Sequence, residues 1–416
     1  MLSVLSPGEV KLPDGRSVEF ANLDIAATAP CLTTVAETVA DLLPFYGSVH
    51  RGAGALAQRC TREYDQARET VAEVVGCGPG DHVVFTRNTT DALNLLAHAL
   101  PLGTTVVTFD AEHHANLLPW RRPVRLPAPS SPDAAVAALD AALTRLTGAG
   151  TTARRAGAGA ASRGPLLVAV TAAGNVTGEL WPVARLAEVA HRHGARIVVD
   201  AAQLAPHAPA RLPDLGADYL ALSGHKMYAP FGAGVLAGRA DWLDAAAPYL
   251  AGGGASAEVR ADFAVRWHTG PARHEAGTPN LLGAVALATA CRVLAGEDHA
   301  AEQALVARFR VALAALPHVE ELRLFDAAAP RVGIVSFTVP GADPDDLGAQ
   351  LGRRHGIGVR TGLFCAHPLT RRLLADATAR IDPAAAPAPA AMRASFGLGT
   401  RAEHVDRLVA ALAGLA

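Results

Sequence analysis

The sequence predicts an α/β fold in which helices cover a mostly parallel sheet, followed by a smaller α+β domain. Short apolar segments, HVVFT (82–86), TTVVTFD (104–110) and LLVAV (166–170), are each followed by a helix-like stretch. This alternation is typical of parallel sheets that are buried on both faces. From about residue 295 the strand-like segments become shorter and lie between two helical stretches, which indicates a second domain of α+β type.

The remaining elements follow in the same way along the chain. Further predicted strands are RIVVD (196–200), YLALS (219–223), GVLAG (234–238), LRLFD (322–326), GIVSFTV (333–339), GIGVRTG (356–362) and RASFGLG (393–399), and predicted C-terminal helices cover 302–316 and 403–415. Residues 147–164, rich in Gly, Ala and Arg, are predicted to form an exposed mobile loop, and 382–391 a Pro/Ala linker. We expect an N-terminal segment (1–30) packed on the small domain, a large domain (31–294) and a small domain (295–416).

Composition excludes several classes of protein. The 416 residues are half hydrophobic and carry a net charge of −2, which argues against nucleic acid or an anionic membrane as the main partner. The five cysteines show no CxxC pairing and no metal-like spacing with histidine, so a reducing compartment is favoured and no metal centre is expected. No apolar run is long enough to span a bilayer. We therefore expect a cytoplasmic protein.

Lys226 is the first candidate functional residue. It lies in SGHK, directly after the apolar strand-like segment at 219–222, and turns after strands are where α/β proteins place their chemistry. A lysine at a surface is usually only a solvated charge. A catalytic lysine needs an electrophile, and its commonest partner is the aldehyde of pyridoxal phosphate (PLP), held as a Schiff base.

PLP also needs a carboxylate near its pyridine nitrogen. Asp200 ends the apolar segment RIVVD, at the carboxyl edge of the sheet where ligands bind. An acid there would keep the pyridine nitrogen protonated, although a helix N-cap or a structural ion pair would look the same in sequence. Gln203, three residues later, is placed to hydrogen-bond the phenolic oxygen of the ring.

A phosphate site is indicated by FTRNTTDALNLLA. Here a strand is followed by Asn88, Thr89 and Thr90 and then by a helix, which places hydroxyl groups and free backbone N–H groups at a helix N-terminus. A plain capping motif would look nearly identical. Ser223 and His225 flank the lysine and are placed to add donors to the same phosphate.

A flat partner for the cofactor ring comes from DAEHHANLLPW. His113 and His114 begin a helical segment after the strand that ends at Asp110, and one imidazole is expected to stack on the ring and to move protons. Each of these signals is weak alone. Their order along the chain, with phosphate, histidine, aspartate and lysine strands in succession, predicts a PLP site.

The chain resembles the fold-type I, class V aminotransferase superfamily, and within it the cysteine desulfurase/selenocysteine lyase group with a short active-site loop. The segments that carry the resemblance are NLDIAATAP, VHRGAG, TTDALNLLA, EHHANLLPW, NVTGELWPV, VVDAAQLAPH, SGHKMYAPFGAGVL, GGG, HEAGTPN, GVRTGLFCAHPL and RASFG. They span almost the whole chain. The resemblance implies a large PLP-binding domain with a mostly parallel seven-stranded sheet, and a homodimer with shared active sites.

The resemblance also implies a role for each matching residue. The cofactor-binding residues would be Lys226 as the Schiff-base lysine, Asp200 at the pyridine nitrogen, Gln203 at the phenolic oxygen, His113 stacked on the ring, Asn175, and Thr89, Thr90, Ser223 and His225 near the phosphate. Thr278 would reach the phosphate bound by the other subunit. The substrate-binding residues would be Asn175 and Arg393 at the amino-acid end, with His50, Arg51 and Arg360 lining the pocket.

Cys365 determines which chemistry the resemblance implies. It lies in RTGLFCAHPL, where desulfurases of this group carry a nucleophilic cysteine. With cysteine as substrate, Lys226 would remove the α-proton, and the Cys365 thiolate would attack the substrate sulfur to give alanine and an enzyme persulfide for a sulfur-acceptor protein. The chain departs from the pattern at Leu363 and Phe364, where two histidines are usual, while His367 follows the cysteine.

Two other classes of function are compatible with these residues. Another class V enzyme, an aminotransferase, an epimerase or a C–S β-lyase, would use the same lysine, aspartate and histidine and leave Cys365 as a bystander. A binding or scaffold protein without activity would keep only the fold. The intact set of Lys226, Asp200, His113 and Asn175 argues against the scaffold.

Overall fold

The computed structural model describes residues 2–155, 164–381, 384 and 386–415. Its strands are β1 (Glu9–Lys11), β2 (Ser17–Glu19), β3 (Ala21–Asn22), β4 (Asp81–Thr86), β5 (Thr105–Phe109), β6 (Val124–Leu126), β7 (Leu166–Thr171), β8 (Arg196–Asp200), β9 (Tyr219–Ser223), β10 (Gly234–Arg239), β11 (Ser256–Val259), β12 (Val265–Trp267), β13 (Glu320–Glu321), β14 (Ile334–Thr338), β15 (Ile357–Gly358), β16 (Arg360–Gly362) and β17 (Ala391–Ser395). Its α-helices are α1 (Thr33–Leu42), α2 (Ala55–Val75), α3 (Thr89–Ala99), α4 (His114–Leu117), α5 (Pro132–Arg155), α6 (Val183–Arg192), α7 (Leu212–Leu215), α8 (Ala240–Ala245), α9 (Leu281–Leu294), α10 (Ala300–Ala314), α11 (Pro344–His355), α12 (His367–Ile381) and α13 (Ala402–Ala413).

The central sheet has seven strands in the order β4-β10-β9-β8-β7-β5-β6. Strand β10 is antiparallel to both of its neighbours, and the other pairs are parallel. Residues of both faces of β7, β8 and β9 are buried, because helices cover the sheet on each side, and this explains the continuous apolar runs of these strands. The predicted α/β class and the seven-stranded, mostly parallel sheet are confirmed.

A second sheet, in the order β13-β14-β17-β16, lies in the C-terminal part of the chain. Its hydrophobic cluster includes residues of α10, α11 and α13, together with Ala21 and Leu23 from the N-terminal segment. Strand β3 of that segment pairs with β15. The boundaries at residues 30 and 294 stay a prediction. Within the described ranges, we find no helix that combines the length and apolarity required to cross a bilayer.

Two predicted segments differ in the structure. The strand expected at 322–326 is wrong, since β13 comprises Glu320 and Glu321 alone. The backbone N–H groups of Leu324 and Phe325 instead donate to the carboxylate of Glu179, which removes them from any ladder. The loop expected at 147–164 is helical as far as Arg155, because α5 continues into it from the helix-favouring, Ala- and Leu-rich stretch at 134–146, and 156–163 lie outside the described residues.

Glu179 joins the C-terminal part of the chain to the large sheet. Its side chain is fully buried, and its oxygens accept bonds of 3.1 Å from Leu324 N and 2.9 Å from Phe325 N. The guanidinium of Arg331 lies 3.9 Å away. Burial raises the pKa of Glu179, against the lowering effect of these donors. A buried carboxylate with charged and N–H partners costs stability when it is removed alone.

We expect Glu179→Ala to lower the free energy of unfolding by about 3 kcal/mol or more, because two buried N–H groups lose their acceptor and Arg331 loses a counter-charge. Thermal unfolding followed by circular dichroism at one scan rate measures this. Asp14→Ala, which removes the exposed Asp14–Arg16 pair, is the control and should leave the melting temperature unchanged. Equal effects of the two substitutions would contradict the structural role of Glu179.

Candidate active site

The carboxyl ends of the central strands bring the predicted site residues to one edge of the sheet. Asp200 of β8 pairs with Thr171 of β7, and Ser223 of β9 pairs with Gly234 of β10. Gly234 allows β10 to approach the start of α3, since a Cβ there would lie 2.5 Å from the Cα of Asn88. The loops that follow these strands therefore converge on a single cavity.

This cavity has a volume of about 220 Å³. Twelve of the residues predicted from sequence line it: Thr89, Thr90, His113, Asn175, Asp200, Gln203, Ser223, His225, Lys226, Arg360, Cys365 and Arg393. Further lining residues are Ala26, Ala27, Asn88, Ala115, Ala202 and Phe364. Residues from the ends of five strands, β4, β5, β7, β8 and β9, and from the C-terminal sheet are thus brought together, as one catalytic centre requires.

One end of the cavity is suited to an anion. Asn88 caps α3, and its side chain accepts a 3.0 Å bond from the N–H of Asp91. The hydroxyl of Ser223 accepts a 2.8 Å bond from Thr89 N and lies 2.9 Å from Thr89 Oγ1. Thr90 lies next in the helix with its side chain exposed. Thr89, Thr90 and Ser223, each with a hydroxyl group, therefore line the cavity at the N-terminus of α3, where the helix dipole favours a phosphate.

Lys226 and Asp200 are the charged pair of the cavity. Asp200 is 4% exposed, and its Oδ1 accepts a 2.9 Å bond from Ala202 N. Withdrawal from solvent lowers the pKa of Lys226, and the Asp200 carboxylate opposes this. Burial likewise raises the pKa of Asp200, and Lys226 opposes it. Each group thus stabilises the charged form of the other in a site that disfavours isolated charge.

His113 is a neutral imidazole in this site. Burial, followed by the charge of Lys226, lowers its pKa to about 3. Its Nδ1 accepts a 3.0 Å bond from Ala115 N, so that the single ring proton resides on Nε2. A neutral ring with a defined tautomer is suited to stacking on an aromatic cofactor and to donating one hydrogen bond through Nε2.

Arg393 offers an open edge for a carboxylate. The side chain is 4% exposed, and burial lowers its pKa to about 10. Nη1 donates a 2.9 Å bond to Asn175 O, and Nη2 makes a long 3.4 Å bond to Asp24 Oδ1. Nε is buried and has no hydrogen-bond partner among the described residues. The Nε–Nη2 edge of Arg393 is therefore available to an anionic ligand. Asp24, whose carboxylate also lies 3.7 Å from the guanidinium of Arg360, was not predicted from sequence as a site residue.

The loop that carries Cys365 is anchored at both carbonyl groups around the cysteine. Asn175 Nδ2 donates a 2.7 Å bond to Phe364 O, and His114 N donates a 2.7 Å bond to Cys365 O. Cys365 is exposed. The rings of His114 and His367 lie 4.5 Å apart, edge to face. The loop thus holds an accessible thiol at the rim of the Lys226 cavity.

Glu112 is a buried residue beside the site, next to His113, that sequence reasoning missed. It is fully buried, and its carboxylate accepts bonds of 3.0 Å from Thr171 N and 2.8 Å from Asn116 Nδ2. Burial raises its pKa to about 8, and the charge of Asp200 acts in the same direction. It ties the helix that follows His113 to the strand that pairs with Asp200. An acidic residue directly before a histidine pair was the available signal.

Three predicted site residues lie outside this cavity in the single chain. His50 and Arg51 line a second cavity of about 470 Å³, and Thr278 lines a third of about 220 Å³. Both of these cavities also contain Glu275. Its carboxylate is held by Arg68 at 2.8 Å and by Tyr64 at 2.9 Å. The segment that bears Thr278 is therefore fixed on α2, away from Lys226.

The residues of the first cavity fit PLP. The N-terminus of α3 would suit a phosphate, Asp200 would suit a protonated pyridine nitrogen, and the amine of Lys226 would suit an aldehyde. Gln203 donates through Nε2 to Ala26 O at 2.9 Å, while its buried Oε1 has no partner within the described ranges. Such an unpaired buried oxygen is costly unless a polar ligand reaches it. Taken together, this donor set matches the cofactor group by group.

We expect Glu112→Gln to change how stability depends on pH. Because the pKa of Glu112 is raised from 4.5 to about 8, the folded state binds its proton more tightly than the unfolded state does. The wild type therefore loses stability relative to Glu112→Gln as pH rises through this window, by a few kcal/mol at most. Melting temperatures of both proteins across the window measure the difference. Glu69→Gln removes an exposed carboxylate as the control, and a pH-independent difference for Glu112→Gln would contradict the argument.

Comparisons with known proteins agree with this site. Residues 21–408 match the family model described as aminotransferase class-V. A cysteine desulfurase from Klebsiella pneumoniae (strain 342) is 35% identical over 403 residues, which cover 94% of this chain and 92% of the relative. A probable cysteine desulfurase from Mycolicibacterium paratuberculosis is 37% identical over 80% of this chain, but the match spans 48% of that longer relative.

Solved structures share the fold. An apo cysteine desulfurase from Thermococcus onnurineus NA1 superimposes with a TM-score of 0.78 at 31% identity, covering 95% of this chain and 94% of that one. A cysteine desulfurase from Escherichia coli, in an S-sulfonic acid form, gives a TM-score of 0.75 at 31% identity, covering 94% of both chains. On the family match over most of its length, the chain belongs to the class V aminotransferases, which are PLP-dependent enzymes.

Proposed function

We propose that this enzyme is a cysteine desulfurase, which converts L-cysteine to L-alanine and leaves a persulfide on Cys365. The observation that carries the proposal is the position of Cys365, exposed at the rim of the cavity that contains Lys226. The named activity of relatives at 35% and 37% identity supports it. The chain spans about half of one of these relatives and nearly all of the other.

The residues of the cavity would hold PLP in one orientation. When bound, PLP supplies an electron-accepting ring that acidifies the α-carbon of an attached amino acid. The residues assigned to the phosphate are Thr89, Thr90, Ser223 and His225, and those assigned to the ring are His113, Asp200, Gln203 and Asn175, with Lys226 at the aldehyde. The carboxylate of Asp200, at the end of a buried strand, would stabilise the protonated form of the pyridine nitrogen.

The amino-acid substrate would be fixed by its carboxylate. Arg393 presents its unpartnered Nε and its weakly bonded Nη2 along one edge, which matches the bidentate geometry of a carboxylate. Asn175 and Arg360 line the same end of the cavity. A carboxylate bound there places the substrate side chain within the space between Lys226 and the Cys365 loop.

Lys226 and Cys365 would perform the two chemical tasks. Withdrawal from solvent lowers the pKa of Lys226, which makes its neutral amine available to take the α-proton. The Cys365 thiolate attacks the substrate sulfur, a new S–S bond forms, and the C–S bond breaks with its electron pair left on the three-carbon fragment. That fragment takes up two protons, one from solvent at the β-carbon and one at the α-carbon to replace the proton that Lys226 removed, and leaves as alanine, while Cys365 keeps the transferred sulfur. The ammonium form of Lys226 is the source of the second of these protons.

Other class V reactions would use the same cavity without Cys365. Transamination would need an added keto acid, epimerisation would return the amino acid with inverted configuration, and β-elimination would release pyruvate and ammonia. Only desulfuration gives Cys365 a bond to form. The apolar Leu363 and Phe364 before it favour these alternatives, because they remove two possible proton donors from the loop.

The assembly is proposed to be a homodimer. His50, Arg51 and Thr278 line cavities other than that of Lys226 in the single chain, which is what we expect if they complete the site of a partner subunit. An exposed Cys365 is accessible to a sulfur-acceptor protein.

A cytoplasmic location stays a prediction.

We expect Cys365→Ala to abolish alanine formation from L-cysteine, by about 100-fold or more, because the sulfur then has no nucleophile to accept it. The PLP-loaded protein is assayed with L-cysteine and a thiol reductant, and alanine, sulfide and pyruvate are quantified. Wild type should give alanine and sulfide in equal amounts. Cys31→Ala, which removes another partly accessible thiol, should behave as wild type. Alanine formation that survives Cys365→Ala, or pyruvate as the main product, would contradict the proposal.

Mixed dimers test whether the active site is shared. We expect Lys226→Ala and Thr278→Ala homodimers each to be impaired, the second through weaker PLP binding. A heterodimer of the two chains should regain one complete site and about half of the wild-type activity, because Lys226 of one chain meets Thr278 of the other. Differently tagged chains, co-expressed and purified through both tags, provide it. Failure of the heterodimer to exceed both homodimers would place Thr278 outside the partner's site.

A further inference from the structure

Phe364 occupies a position in the site where the resemblance predicts histidine. Its side chain is 8% exposed, and its ring centroid lies 5.1 Å from Cζ of Arg393. This is a cation–π distance in a partly desolvated site. The residue immediately before the nucleophile therefore rests on the guanidinium to which we assign the substrate carboxylate.

The backbone of Phe364 is held by a second substrate-binding group. Asn175 Nδ2 donates a 2.7 Å bond to Phe364 O, and Asn175 is the other residue assigned to the amino-acid end. Phe364 and Cys365 have φ angles of 50° and 51°, in the left-handed region that bulky L-residues seldom adopt. The conformation persists because these contacts compensate for the strain.

The flanks of the loop are fixed independently of the substrate end. Ala366 N donates a 3.0 Å bond to Leu363 O, and Thr370 Oγ1 donates a 3.1 Å bond to the same carbonyl. Release of the contacts to Arg393 and Asn175 would therefore free Phe364 and the side chain of Cys365, while the bond from His114 N still holds Cys365 O and the start of α12 stays folded.

We propose that Phe364 is a positioning residue that makes the movement of Cys365 depend on a bound carboxylate. An anion at the Nε–Nη2 edge of Arg393 neutralises the cation on which the ring rests, and it competes for the amide of Asn175. Both changes weaken the hold on the strained loop, so that Cys365 becomes mobile only when an amino acid with a free carboxylate is in place. The proposal rests on the assignment of Arg393 and Asn175 in the proposed function.

The test measures alkylation of Cys365 by iodoacetamide in the PLP-loaded enzyme, read at the Cys365 peptide by mass spectrometry. The ligands are L-alanine and L-alaninamide, which differ only in the carboxylate. In the wild type we expect L-alanine to raise the alkylation rate about two- to fivefold over L-alaninamide, the range that loss of a cation–π contact produces. Phe364→Ala should be alkylated at the raised rate without ligand and should not respond to L-alanine.

Matched variants distinguish the effect of the aromatic ring of Phe364 from the effect of apolar packing in the loop. Phe364→Tyr keeps the aromatic face and should behave as wild type, whereas Phe364→Leu keeps an apolar side chain without that face and should resemble Phe364→Ala. Leu363→Ala removes the neighbouring apolar side chain and should keep the carboxylate response. The Tyr and Leu variants carry the test if Phe364→Ala does not fold.

Two results would overturn the proposal. One is an alkylation rate for Phe364→Leu that equals wild type and responds equally to L-alanine. The other is an equal or slower rate with L-alanine than with L-alaninamide in the wild type, since the ligand would then merely cover the thiol. Alkylation needs no turnover, so it reports on the loop alone, whereas alanine formation reports on desulfuration. A failure of the coupling would therefore leave the proposed desulfuration untouched.

Discussion

The register of the central sheet is the constraint on which the site depends. Asp200 pairs with Thr171 and with Ala221, and Ser223 pairs with Gly234, so that the strand ends form one line across the sheet. A slip of one residue would turn each side chain to the opposite face. Because β7, β8 and β9 are buried on both faces, their charged side chains, Arg196 and Asp200, lie at strand ends, and the candidate cofactor residues gather at the carboxyl ends.

The nucleophile reaches this edge from the other sheet. Cys365 lies between β16 and α12, and Arg393 lies in β17, which pairs with β16. The chemistry therefore depends on how firmly the C-terminal elements are held against the large sheet. Glu179 and the hydrogen bond from His114 N to Cys365 O supply two such connections, one deep in the core and one at the cavity rim.

The elements nearest the candidate cofactor site were predictable because residues within each short segment determine their structure. Two local patterns made this possible. Buried parallel strands are apolar until they end in a polar residue, as at Asp200 and Ser223, and a helix start needs capping residues such as Asn–Thr–Thr. Residues 322–326 failed the same rule, although Leu322, Leu324 and Phe325 are apolar, because the deciding partner was Glu179, more than 100 residues away. Long-range contacts of this kind leave no trace in local periodicity.

The candidate site divides in the same way. Charged and hydroxylated residues at strand ends could be picked out singly, and the resemblance placed Cys365. Glu112 was missed because an acidic residue beside two histidines resembles an exposed turn, and only burial against Thr171 and Asn116 gives it a role. The left-handed backbone at Phe364 was equally invisible, since conformational strain is a property of the folded loop.

The charges of the cavity explain why its ligands should be anionic at both ends. Among its described lining residues the cations are Lys226, Arg360 and Arg393, and the carboxylate is Asp200, while His113 is neutral because burial lowers its pKa to about 3. A cavity with excess positive charge and low solvent exposure concentrates anions. A phosphate at α3 and a carboxylate at Arg393 would balance that excess at opposite ends. Cys365 interacts electrostatically with both Lys226 and Arg393 and so opposes the larger lowering of their pKa values by burial, which couples substrate binding to the nucleophile through the same arginine.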